Sequence, residues 1–142
     1  KRMSTSKILI AGFVGGVVTL LLGFLIYGIA LSSFFEQQAG SDTGVMKAEA
    51  DFNWIAMIIG HLSFGFLLAI IFGRWANIST FPTGAKAGAV IGFLVFLTTN
   101  MINYGSTNIM TLTGALADTV IGAVMAAIIG GVVALILGRD SK

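Results

Sequence analysis

The sequence predicts an all-α membrane protein: one transmembrane domain, residues 1–142, built as a bundle of four membrane-crossing helices. Three observations carry that expectation. The chain is 56% hydrophobic and only 10% charged, with a mean hydropathy of +0.97, which is too little charge to cover a soluble domain. Its apolar residues fall into four runs, about 8–31, 54–73, 84–104 and 112–137, each near the ~20 residues that cross ~30 Å of hydrocarbon. The runs are continuous, without the alternation of a transmembrane β-strand, so helices are favoured over a barrel.

The first run follows "MSTSK", where Met3 reads as a native start with Lys1 and Arg2 as an addition before it. It is too long for a signal-peptide core and shows no cleavage site after it, so it reads as a retained span. Gly15, Thr19, Gly23 and Tyr27 recur at every fourth position and share one helix face. Gly12 and Gly16 lie on another face, suited to a subunit contact. Residues 36–53 are polar, and within them "VMKAEADF" suits a short interfacial helix.

Trp54 and Trp75 bracket the second run, roughly 32 Å apart at a helical rise of ~1.5 Å per residue, one for each membrane interface. Its small-residue line is His61, Gly65, Ala69, Gly73. The only proline, Pro82, sits in "ANISTFPTG" and turns the chain into the third run, whose line is Gly84, Gly88, Gly92, Phe96, Asn100, Tyr104. "GSTNIMT" reads as a short uncharged hairpin loop. The fourth run, "GALADTVIGAVMAAIIGGVVALILGR", places Asp118 on a line with Gly114, Gly122, Ala126, Gly130, Ala134 and Gly138. A second line beside it, Ala115, Thr119, Ala123, Ala127, Gly131, suits contact with two neighbours.

Charge sets the expected orientation. Lys1, Arg2, Lys7, Arg74, Lys86, Arg139 and Lys142 fall on one side of the bundle; Lys47 falls on the other with Glu36, Asp42, Glu49 and Asp51. The positive-inside rule then puts both termini in the cytoplasm. The halves also resemble each other. "AGFVGG…YG" pairs with "AGAVIG…YG", and "AIIFGR" with "ALILGR", as in a parallel two-hairpin repeat about an axis along the membrane normal.

Lipid is as apolar as leucine, so close backbone approach, which small residues permit, drives transmembrane helices together. Gly15, Gly23, Gly65, Gly88, Gly92, Gly122 and Gly130 are the expected small-xxx-small packing positions. If these lines face a common axis, the polar groups on them meet. At ~1.5 Å per residue, Tyr27 and Asn100 lie about 6 Å, and His61 and Asp118 roughly 9–11 Å, below the outer end. An ionised Asp facing lipid costs ~2.5–3.5 kcal/mol near the bilayer centre. Asp118 is therefore expected to face protein, bonded to His61, Asn100 or Tyr27. The candidate ligand- or ion-binding residues are Asp118, His61, Asn100, Asn103 and Tyr27. Tyr27 and Tyr104 also suit the aromatic belt, and Asn100 and Asn103 suit mutual or loop hydrogen bonding.

Enzyme chemistry has little to stand on. Ser63 and His61 point apart on a helix, so no nucleophile–base pair is readable. One His and no Cys are too few for a zinc site. No metal or cofactor is expected. The basic residues are dispersed over one end and form no nucleic-acid patch.

"YGSTNIMTLTGALADTVIGAVMAA" resembles the second half of uncharacterised small four-helix bacterial inner-membrane proteins. In these a Tyr-x-x-Thr-Asn hairpin precedes an Asp early in the last span, with Gly four residues on, here Tyr104, Thr107, Asn108, Asp118 and Gly122. "GFLIYG" is similar to a Gly-rich helix ending in an aromatic in such families. The resemblance implies the four-helix layout and a bacterial inner membrane, and implies no activity. The expected function is an oligomeric or accessory subunit of a membrane complex, in contact with lipid and with other membrane subunits or its own copies. The alternative is a small proton- or cation-coupled transporter using Asp118 and His61. A third reading is a pocket for a lipid or other amphipathic ligand in the outer leaflet.

Overall fold

A computed structural model describes residues 3–139. The expected placements of Lys1, Arg2 and Lys142 lie outside the described residues. Four long helices dominate: α1 (Thr5–Ala30), α3 (Trp54–Ala76), α4 (Phe81–Ser106) and α5 (Leu112–Gly138), each long and apolar enough to cross a membrane. A short helix, α2 (Ser32–Gln37), follows α1.

Local chemistry sets the helix ends. The side chains of Ser4, Asn53 and Thr111 accept from the amides of Lys7, Ala56 and Gly114 and so satisfy first-turn donors. Pro82 sits in the first turn of α4, where its missing N–H costs nothing. Asn77 ends α3 in the left-handed region (φ 51°), a conformation Asn tolerates better than most residues, and the Ile78 amide closes onto the Phe72 carbonyl at 3.1 Å. The last turns of α1 (Phe24–Ala30) and α3 (Ile71–Ala76) are wound as π-helix.

The helices run alternately up and down. Arg74 donates to Thr5 at 2.6 Å and Lys7 to the Arg139 carbonyl, so Lys7, Arg74 and Arg139 gather at one end. At the other end the chain after α2 pairs with the α4–α5 loop. The Gly40 amide donates to the Ile109 carbonyl (3.0 Å), the Thr111 amide to the Gln38 carbonyl (2.9 Å), and the Thr111 hydroxyl to Gln38 Oε1 (2.6 Å). The loop expected to be a plain hairpin thus ties the two halves together. "VMKAEADF" holds only a single 3-10 turn, Glu49–Asp51, in an exposed segment.

Packing is by pairs: α1 lies on α3, α4 lies on α5, and α5 joins the pairs through α1. At Gly65 a Cβ would fall on the backbone of Gly12 and Gly16. At Gly88 it would fall on the Ala126 carbonyl, and at Gly92 on the Ala126 side chain. Gly130 abuts the backbone of Gly84 and Gly88, Gly15 meets Val133 and Gly65, and Gly122 meets the Phe96 ring. Gly12 and Gly16, expected on a free face, lie against Phe66 and Leu62 of α3.

The four lines therefore do not converge on one axis. The small-residue line of α4 nests on α5 alone, leaving α3 and α4 without a comparable contact. The expected two-hairpin symmetry would repeat the α1–α5 contact between α4 and α3, and that side stays open. The buried core lies toward the basic end, where Ile8 and Ala11 meet Leu68, Ala69, Phe72, Ile129, Val133, Ala134 and Leu137. Leu21, Ile55, Ile59, Val90, Leu94, Val120 and Val124 point outward as apolar surface.

Candidate functional site

Toward the acidic end the pairs part, and a cleft of about 410 Å³ opens between them. Thr19, Gly23 and Tyr27 of α1 form one wall and Met57, Gly60, His61 and Phe64 of α3 another; Val95 and Phe96 of α4 stand opposite, and Gly122, Met125, Ala126 and Ile129 of α5 form the floor. A second cavity of about 240 Å³ adjoins it at Val95 and Phe96 and reaches Thr99, Asn100 and Asp118.

Asp118 is held from two sides. The Tyr27 hydroxyl donates to Oδ1 at 2.6 Å, and Asn100 Nδ2 donates to Oδ2 at 2.7 Å. Asn100, only 4% exposed, also reaches the Thr119 hydroxyl at 3.2 Å, and Thr119 donates to the Ala115 carbonyl at 2.8 Å. Three helices thus contribute to one network: α1 through Tyr27, α4 through Asn100, and α5 through Asp118 and Thr119. The π-wound turn carries Tyr27; such turns recur at functional positions because they break the helix register. The Phe35 ring of α2 packs on Tyr27 with centroids 5.2 Å apart.

His61 takes a different role from the one expected. Its Nδ1 bonds the Met57 carbonyl at 2.6 Å within its own helix. Its Nε2 packs against Gly23, 3.0 Å from where a Cβ on that glycine would stand. The imidazole does not bond the carboxylate; Tyr27, which lines the same cleft, does. Asn103 also lies outside the network. Its carbonyl accepts from the Thr107 amide and hydroxyl, and its side chain bonds neither Asn100 nor Asp118. Asn103 lies about 4.5 Å nearer the acidic end of α4 than Asn100, at ~1.5 Å per residue. Tyr27 is an internal donor more than a belt residue, whereas Tyr104 is 43% exposed.

Thr119, Phe96 and Met125 were not among the candidates. Thr119 carried a signal, its place on the second small-residue line beside Asp118. Phe96 carried one too, its place on the α4 line four residues before Asn100, whereas Met125 is an apolar residue in an apolar run and nothing in its composition or spacing separates cleft lining from outward-facing surface. Among the described residues no group of three or more His, Asp or Glu could hold a metal ion. No family model, curated protein or solved structure matches the chain.

Proposed function

We propose that this is a non-enzymatic, multi-pass protein of the bacterial inner membrane, with its basic end and both termini in the cytoplasm, serving as an accessory component that holds one apolar ligand chain in the lateral cleft. The cleft carries this reading. It has apolar walls from four helices, and its size lies within the ~300–1,000 Å³ of small-ligand sites. The gathering of Lys7, Arg74 and Arg139 at one end supports the orientation. Gly12 and Gly16, which suggested self-assembly, pack inside the chain, and this favours a ligand over a second copy.

Gly60 offers the test. It lines the cleft, and nothing stands within 4 Å of a Cβ built there. Gly60→Leu should fill the cleft while leaving thermal stability intact. Native mass spectrometry from lipid nanodiscs should show retained lipid or amphiphile adducts on the unmodified protein and their loss in the variant. Equal retention in both, or none in either, would refute the reading.

A proton- or cation-coupled transporter is the second reading, favoured by the opening of Asp118 onto the adjoining cavity. Against it stands the filled basic half, where Phe72, Leu68 and Val133 are fully buried. Flux in liposomes unchanged by Asp118→Asn would reject it.

A further inference from the structure

We infer that the cleft selects a single-chain amphiphile ending in a hydroxyl donor, such as a long-chain alcohol, bound with its O–H on His61 Nε2 and its chain directed toward the basic end. This rests on the ligand-holding reading above and adds the ligand's polar chemistry and direction.

The imidazole sets the polarity. A backbone carbonyl only accepts, so the 2.6 Å contact with Met57 places the ring proton on Nδ1. In the neutral ring Nε2 then presents a lone pair. It forms no hydrogen bond among the described residues, keeps some accessible surface, and stands beside Gly23, which lines the cleft with His61. An acceptor in an apolar cleft discriminates for ligands that bring a donor. The hydroxyls of Tyr27 and Thr19, which also line the cleft, already donate to Asp118 and to the Gly15 carbonyl, so each keeps only acceptor capacity.

Depth sets the direction. At ~1.5 Å per residue, Met57 lies about 5 Å and His61 about 10 Å below the acidic end of α3, whereas Ile129 lies about 25 Å below the same end of α5. The polar atoms stand near the mouth, and Met125 and Ile129 line the apolar floor. That gradient matches an outer-leaflet amphiphile lying with its polar end outward. A cleft of about 410 Å³ has room for one chain.

The experiment uses the full chain in nanodiscs, with 1-tetradecanol, its methyl ether and tetradecanoate offered in competition and read by native mass spectrometry. The alcohol should be retained about tenfold over the ether, near the upper worth of one hydrogen bond. His61→Leu should bring that ratio close to one while both ligands still bind. An alcohol-to-ether ratio near one in the unmodified protein, a ratio unchanged by His61→Leu, or preference for tetradecanoate would overturn the inference and leave the cleft reading standing. Failure of all three to bind the unmodified protein would remove both.

Discussion

Asn100→Ala isolates the energetic centre of the site. The side chain is 4% exposed and donates to two groups on α5, Asp118 Oδ2 at 2.7 Å and Thr119 Oγ1 at 3.2 Å. Interhelical hydrogen bonds within a membrane average ~0.6 kcal/mol and reach ~1.7 kcal/mol. The short bond to a carboxylate belongs near the upper figure and the longer one to Thr119 near the mean. The loss should be about 2 kcal/mol, close to a thirtyfold change in the folding equilibrium. Reversible unfolding in mixed micelles on titration with sodium dodecyl sulfate, followed by the fluorescence of Trp54 and Trp75, gives the stability. Asn103→Ala is the matched control, since its amide bonds neither member of the network, and should change stability by less than ~0.5 kcal/mol. A double-mutant cycle with Asp118→Ala should show coupling of about 1 kcal/mol. Equal costs for the two Asn variants, or coupling below ~0.3 kcal/mol, would refute the assignment of Asn100 as the carboxylate's partner.

Tyr27→Phe removes the one bond from α1 to Asp118 and should lower stability in the same assay by about 1 kcal/mol; no change would mean that the carboxylate is held by Asn100 alone. Gly65→Ala puts a methyl into the Gly12 and Gly16 backbone and should lower the melting temperature sharply, whereas Gly60→Ala, with open space around it, should leave it unchanged or raise it; matching effects would refute the α1–α3 packing. The chain has no native cysteine, so orientation can be read by single-cysteine labelling. With an impermeant thiol reagent on intact cells, Ser41→Cys should be modified and Ala76→Cys protected, and the reverse pattern would invert the proposed topology.

Some of this was legible before any fold. Hydropathy and length sufficed for four long apolar helices, because crossing a bilayer is a property of single segments. Fourfold spacing placed Asp118 on a small-residue line, and the cost of a charge in lipid required a partner for it. Asn100 and Tyr27 could be named as partners, beside His61, from their place on the small-residue lines and their similar depth. Pairing, however, depends on rotation about each helix axis and on which neighbour occupies which face. His61 and Asp118 share a depth, yet the imidazole turned to its own helix and the cleft while Tyr27 took the carboxylate. Asn103 lay three residues from a network member and outside the network.

The sequence by itself determined the segments, their length, the gathering of basic charge at one end, and the need to shelter one acid within protein. Those follow from local composition and from the solvation of single groups. Only the tertiary structure decided that glycine lines would nest in pairs and not on a common axis, that α5 would join the pairs, and that a cleft would open beside His61. The physical reason is that close backbone contact is satisfied by any matching small-residue face. Several arrangements of four such helices are nearly equivalent in composition, and the choice among them rests on how bulky side chains such as Phe66, Leu62 and Phe96 meet the glycines opposite.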